Sequence, residues 1–302
     1  MVTRGCVVLA LVALGCGGKK DQPAAGSASG SGSGSTIDSK DAAAQFDKKC
    51  VAGDVEACRN LGIMYNEGVG VTADPRRAAA LFAQACNGGN LAGCNHFALA
   101  ISEGIGVQKD TAKAIEVYQK ACDGGYALSC RNLGIMLRDG RGVPADLARA
   151  ETLLDRACKG GAPFGCTNAG DLDAMRVKDD PSRKKAMLDH YTQGCNAGDP
   201  AACRKIGIAY LDGIGLPKSA VSAAVWLDRA ASKDDAIALR LLGMMAVDGV
   251  GVARDAKRGS ELLKKACDKK DDEACKALAK VGGGSGASTG SGSGSGSGSA
   301  AR

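Results

Sequence analysis

The sequence predicts an all-α solenoid of about six to seven 36-residue, two-helix repeats stapled by disulfides, and three observations predict it. First, Ala57-Cys58-Arg59-Asn60-Leu61-Gly62-Ile63-Met64-Tyr65-Asn66-Glu67-Gly68-Val69-Gly70-Val71 returns as Ser129-Cys130-Arg131-Asn132-Leu133-Gly134-Ile135-Met136-Leu137-Arg138-Asp139-Gly140-Arg141-Gly142-Val143. Looser copies begin at Gly93, Gly165, Ala202 and Ala238, and a truncated one at Ala274. Second, Cys-x7-Cys pairs keep the same register: Cys50 with Cys58, Cys86 with Cys94, Cys122 with Cys130, Cys158 with Cys166, Cys195 with Cys203, and Cys267 with Cys275. Their first cysteines step by 36, 36, 36 and 37 residues, and the last gap of 72 is two periods. The skipped register holds Ala231 and Leu239, so both cysteines are lost together, as bonded partners would be. Third, helix start and stop signals recur with the same period.

Taken in order, residues 1–15 read as a secretory signal: Arg4, then an apolar run from Cys6 to Leu14, too short to span a bilayer. It ends in Ala13-Leu14-Gly15-Cys16, which resembles a bacterial lipobox, although Ala13 departs from the usual leucine. The resemblance implies that Cys16 carries lipid and becomes the mature N-terminus, anchoring an outer-membrane lipoprotein that faces the periplasm or the cell surface. An ordinary cleaved signal or a short uncleaved anchor would also send the chain out of the cytoplasm. Of 14 cysteines, Cys6 and Cys16 set aside leave an even set. Dense, even cysteines in an exported chain indicate disulfides. The net charge of +6 is modest and scattered, so nucleic acid is not an expected partner. Residues 16–37 form a Gly/Ser/Ala tether and residues 282–302 a Gly/Ser tail. The foldable part is residues 38–281.

Each period holds two helical patterns. Helix A runs from about Val55 to Asn66 and meets Gly68-Val69-Gly70-Val71. Helix B opens with Asp74-Pro75, a cap followed by the proline favoured at the first helical position, and runs to Cys86. Asp110, Asp146, Ser219 and Asp255 stand at the cap in later copies, and Gly88-Gly89, Gly124-Gly125 and Gly160-Gly161 stop helix B. Residues eight apart on one helix lie about 12 Å apart, whereas disulfide Cα atoms lie within about 7 Å. Each pair therefore spans a turn and staples one helix B to the next helix A. Large residues recur four before the first cysteine (Phe46, Phe82, Tyr118, Leu154, Tyr191, Leu227, Leu263), usually with alanine just before that cysteine, as in close helix packing. Mid-helix Gly62, Gly134, Gly207 and Gly243 indicate close backbone approach, since such a glycine costs about 1 kcal/mol against alanine. The fourth unit departs: residues 171–179 lack the Gly-x-Gly-Val turn, and Asp180 stands 15 residues before Cys195 where other caps stand 12 before theirs. The spacing predicts a shortened turn, a helix B longer by about one turn, and a local bend.

Leu-Gly-x-x-Tyr, then Gly-x-Gly-Val, then an Ala-rich helix, resembles the Sel-one-like repeat, a relative of the tetratricopeptide repeat. With a Cys-x7-Cys pair in each unit, the chain looks most like the helicobacter cysteine-rich proteins. The resemblance covers residues 38–281. It implies a right-handed α-solenoid whose A helices line a concave groove, and an interaction role. Some cysteine-rich members have been described as penicillin-binding or β-lactamase proteins.

The Gly-x-Gly-Val turns follow helices and lack a following Lys-Ser or Lys-Thr, so they read as turns and not phosphate loops. His96 and His190 have no second ligand at metal spacing and read as structural; no metal or cofactor is expected. Ser182-Arg183-Lys184-Lys185 has the Ser-x-x-Lys spacing of penicillin-interacting enzymes, but it opens a lysine-rich helix and no Ser-Asp-Asn or Lys-Thr-Gly follows. The strongest candidate is a pair of polar columns on helix A: Arg59, Asn95, Arg131, Thr167, Arg204 and Arg240 (then Lys276) after the second cysteine, and Asn60, His96, Asn132, Asn168 and Lys205 beside them. Because the rest of helix A is largely apolar, the columns read as its remaining exposed arc. Asn can hold a backbone amide there and Arg a carboxylate; the alternative is an ordinary solvated face. The expected function is a non-catalytic envelope scaffold for a protein or peptide partner, acidic or extended, or for a cell-wall ligand. The alternatives are a hydrolase of β-lactams or peptidoglycan and a structural spacer.

Overall fold

The computed structural model describes residues 35–283, with side chains from 39 to 281. The signal, Cys16 and most of the tether and tail lie outside the described residues. Within them the chain forms fourteen α-helices. The A helices are α2 (Val55–Glu67), α4 (Leu91–Glu103), α6 (Ala127–Asp139), α8 (Gly165–Arg176), α10 (Pro200–Asp212), α12 (Ala236–Asp248) and α14 (Asp272–Gly283). The B helices are α1 (Ser35–Val51), α3 (Pro75–Asn87), α5 (Thr111–Asp123), α7 (Leu147–Lys159), α9 (Arg183–Asn196), α11 (Ala220–Ala231) and α13 (Ala256–Asp268). Six A–B units are thus flanked by a leading B helix and a closing A helix.

Local chemistry sets these bounds. The side chains of Asp74, Asp110, Asp146, Ser219 and Asp255 each accept from a backbone N–H in the first turn of the B helix that follows. Five A helices end on a glycine in the left-handed region, as at Gly104 (φ 73°), whose N–H closes onto the last turn. Within a unit, the mid-helix glycine of A receives the large residue of B. A Cβ on Gly134 would sit 2.8 Å from Leu154 Cγ, and one on Gly207 2.7 Å from Leu227 Cγ. Leu133, Leu154, Leu227 and Leu263 are fully buried between the two layers.

Joints between units are fastened at both edges. At one edge all six Cys-x7-Cys pairs are bonded, with Cα atoms 4.3–4.7 Å apart. Cys50 bonds Cys58 across α1 and α2, Cys86 bonds Cys94 across α3 and α4, and Cys122 bonds Cys130 across α5 and α6. Cys158 bonds Cys166 across α7 and α8, Cys195 bonds Cys203 across α9 and α10, and Cys267 bonds Cys275 across α13 and α14. Each bridge thus joins the end of a B helix to the start of the next A helix, within its own pair. At α11–α12 the buried pair Ala231 and Leu239 replaces the bridge. At the other edge the second glycine of the Gly-x-Gly turn lies against the start of the preceding B helix: Gly106 on Pro75 and Arg76, Gly142 on Thr111, Gly251 on Ala220. Successive A helices touch at α2/α4, α6/α8 and α12/α14, more closely than any two successive B helices. The A helices therefore lie on the inner side of the array.

The fourth unit corrects one expectation. Helix α9 has 14 residues against the usual 13, so it gains one residue and not a turn. Asp180 is not its cap: Asp180 accepts from Ser182 N–H within a turn over residues 180–183, and the helix starts after it. At the end of α8, Val177 occupies the C-cap in right-handed geometry because no glycine is there to turn left.

Candidate functional site

The first polar column lies in the opening turn of each A helix, beside the disulfide. The start of the next A helix packs over it. Arg204 Nε donates to Asp235 at 3.1 Å, and Arg240 Nε to Asp271 at 3.1 Å. Asp235 also accepts from Ala238 N–H at 2.8 Å, and Asp271 from Ala274 N–H at 2.9 Å. Each carboxylate therefore caps its own helix and holds the column residue of the unit before. Burial works against the Asp271 carboxylate, but the Ala274 N–H and Arg240 hold its pKa below the usual range. The Thr167 hydroxyl donates to Asp199, the cap of α10, in the same way. Toward the N-terminus the pattern is relayed: Arg59 pairs with Glu56, which accepts from Asn90 at 2.6 Å, and Asn90 caps α4.

This placement corrects the expected exposed arc. Asn95 and Thr167 are each only 4 % exposed. Asn95 accepts from Ser129 and from Asn132, at 3.1 and 3.0 Å. The side chains of Arg59, Arg204 and Arg240 retain 23, 18 and 22 % of their surface. Asn60 accepts from Arg59, and Asn168 accepts from Arg131 Nε at 2.7 Å. The columns are a seam between units, and only part of each side chain faces solvent. In a double-mutant cycle, Asp235→Ala should cost about 2 kcal/mol, through a lost cap and a stranded, half-buried arginine. Arg204→Gln should remove about 1 kcal/mol of that cost, read by urea denaturation.

On the A face, between α4, α5 and α6, lies a cavity of about 600 Å³. Ser102, Tyr118, Arg131, Asn132, Met136 and Arg141 are among its lining residues. Two column residues, Arg131 and Asn132, meet open volume there.

Sequence reasoning missed a charge network in the fourth unit. Asp173, 2 % exposed, accepts from His190 Nδ1 at 2.8 Å and from Arg183 at 3.2 Å. His190 Nε2 lies 3.2 Å from Asp155, and Arg183 also pairs with Glu151 and Asp180. Glu151 further holds Arg176 at 2.6 Å. The partners lie on α7, α8 and α9, so no local spacing announced them; the absent glycine turn was the only signal. The network ties these helices where the turn is irregular.

The two histidines titrate in opposite senses. The hydrogen bond to Asp173, with Asp155 and Asp189 nearby, raises the His190 pKa against its burial. Its contribution is complete below about pH 6.5 and is lost as pH rises through the folded-state value. His96 stacks on Phe82 with ring centroids 4.8 Å apart. Burial, with Arg59 adding to it, pushes the His96 pKa down to about 4. Its contribution is complete above about pH 6.5 and is lost as pH falls toward 4. Urea midpoints across pH should therefore lose part of their alkaline slope in His190→Gln and part of their acid slope in His96→Gln.

Ser182 and Lys185 do not form a catalytic pair. Ser182 donates to Asp180 at 2.6 Å, and Lys185, 86 % exposed, pairs with Asp189. Among the described residues, no group of three His, Cys, Asp or Glu side chains is placed to hold a metal ion, and no helix is long and apolar enough to cross a membrane.

The family model for the Sel1 repeat matches residues 55–90, 96–126, 127–161, 200–235 and 236–271, and passes over the irregular fourth unit. Among solved structures, the chain is similar to c5321, a protective antigen of uropathogenic Escherichia coli displaying an SLR fold. The two are 25 % identical with a TM-score of 0.70, over 82 % of this chain and 53 % of that one. The chain thus spans about half the length of that antigen. A Sel1 repeat protein from Oxalobacter formigenes is 24 % identical with a TM-score of 0.61, over 74 % of this chain and 88 % of that one. Helicobacter pylori cysteine rich protein B is 24 % identical over 44 % of this chain and 96 % of that one, with a TM-score of 0.36. No curated protein matches the chain.

Proposed function

The chain belongs to the Sel1 repeat family, and from that premise we propose that it is a non-catalytic envelope scaffold that binds a protein or peptide along its A helices. The observation that carries this reading is the continuous inner face. Side-chain hydrogen bonds join each A helix to the start of the next or to its column residues, and a cavity adjoins this polar seam at α4 and α6. Bridges at six joints fix that face before any ligand arrives, which lowers the ordering cost of binding.

A photo-reactive residue at Leu99 or Ile135, both lining the cavity, should cross-link a partner in envelope extract. The same group at Val221 or Val225, exposed on helix B, should not. Equal capture from both faces would overturn the reading. Nitrocefin and peptidoglycan hydrolysis are expected at background. Six disulfides support an extracytoplasmic location, and we assign the anchor to lipid on Cys16. Cys16→Ala should release the protein from membranes and abolish labelled palmitate incorporation; membrane retention of an unlabelled wild type would contradict this.

A further inference from the structure

We propose that the cavity beside Arg131 is the anchor point for the peptide partner and that it takes a carboxylate flanked by an apolar side chain. The inference rests on the reading that the A face binds a peptide, and it narrows that face to one point. The other column arginines are already neutralised: Arg59 by Glu56, Arg204 by Asp235, Arg240 by Asp271. Arg131 is the exception. Among the described residues no carboxylate pairs with it; its Nε donates to the neutral Asn168 at 2.7 Å. Asp199, whose charge acts on it, is engaged by Thr167 and by the start of α10. Arg131 nevertheless is half-buried and lines the cavity of about 600 Å³. Arg141, also in the lining, is held by Asp139 at 3.0 Å, but Lys109 joins Arg131 there against one carboxylate, Glu103, so the site favours an anion.

The reason for the missing partner is local. At Arg204 and Arg240 the carboxylate comes from the cap of the next A helix, and at Arg59 from Glu56 of the same helix. The next A helix after Arg131 is α8, whose cap is Phe164, with no side-chain hydrogen bond. Phe164 has φ 58°, a left-handed geometry that is costly for an aromatic residue, and it is 52 % exposed. Its ring lies 5.7 Å from the Arg131 guanidinium carbon. A strained, exposed aromatic beside an unneutralised, half-buried arginine is a poor arrangement for stability alone. Together they offer a planar fork of donors for a carboxylate and an apolar surface for its neighbour.

The test uses the full-length oxidised protein and three hexapeptide pools in equilibrium dialysis read by mass spectrometry. One pool has neutral residues and a free C-terminal carboxylate. A second has the same residues with an amidated C-terminus. A third is amidated and carries one Asp or Glu next to leucine. The first or third pool should be retained about tenfold or more over the second, and which of the two is retained identifies the carboxylate as terminal or side-chain. Arg131→Gln should abolish the preference. Phe164→Gly should weaken retention while keeping or raising the melting temperature, a combination that a purely structural role would not give. Neutral peptides retained equally by wild type, or a folded Arg131→Gln protein that keeps the preference, would overturn the proposal and leave the peptide-binding reading standing. No retention of any pool would overturn both.

Discussion

Replacing Gly106 by alanine should destabilise the protein by about 3 kcal/mol, far more than the same change two residues earlier. At Gly106, φ is 72°, which costs an L-residue about 1 kcal/mol. The new Cβ would also collide with the Pro75 carbonyl and come within 2.7 Å of Arg76 N, both in the first turn of α3. Forcing that turn away adds about 1–3 kcal/mol of overpacking. Gly104 has nearly the same φ of 73°, yet the nearest atom its Cβ would meet is Lys109 Cβ at 3.2 Å. Gly104→Ala should therefore cost about 1 kcal/mol. The difference between the two, read from urea unfolding of oxidised protein, measures the joint between consecutive units at the edge away from the disulfides. Equal costs would mean that the second glycine serves only its own turn.

Reduction should unfold much of the array. Each bridge closes a nine-residue loop, worth about 2.6 kcal/mol in the chain-entropy account, whose mechanism is disputed. Six such terms total about 16 kcal/mol, at the top of the range of an entire domain's net stability. A solenoid has no central core to compensate, because each unit depends on its neighbours. Helical circular dichroism at 37 °C should fall sharply on reduction and return on reoxidation. A reduced protein melting within a few degrees of the oxidised one would show that apolar contacts such as Ala231 against Leu239 suffice at every joint.

Much of this was legible in the 36-residue period. Asp74 and Pro75 announced the start of α3, and Gly68 and Gly88 announced the ends of α2 and α3, because caps and left-handed turns are local chemistry. The cysteine spacing announced which helix ends meet. Burial of the columns was not legible, because a recurring arginine looks the same whether it faces solvent or the next unit. A signal was present nonetheless. Asp199, Asp235 and Asp271 stand 31 or 32 residues after Thr167, Arg204 and Arg240, and the correspondence fails at Arg131, where Phe164 caps the next A helix. Recurrence of the pair, and not of the arginine alone, marks the seam. The second glycine of each turn was legible only as a turn residue, since its contact lies in the preceding unit. The His190–Asp173–Arg183 network joins residues from three helices and left no periodic trace.

We propose that the A face is where this protein meets its partner. Hydrogen–deuterium exchange on the oxidised protein, with and without the partner identified by cross-linking, tests it most directly. Added protection should concentrate in α4, α6 and the cavity-lining residues of α5 and extend to neighbouring A helices, with α3 and α7 unchanged. Protection confined to those B helices, or to the Gly-x-Gly turns, would contradict it.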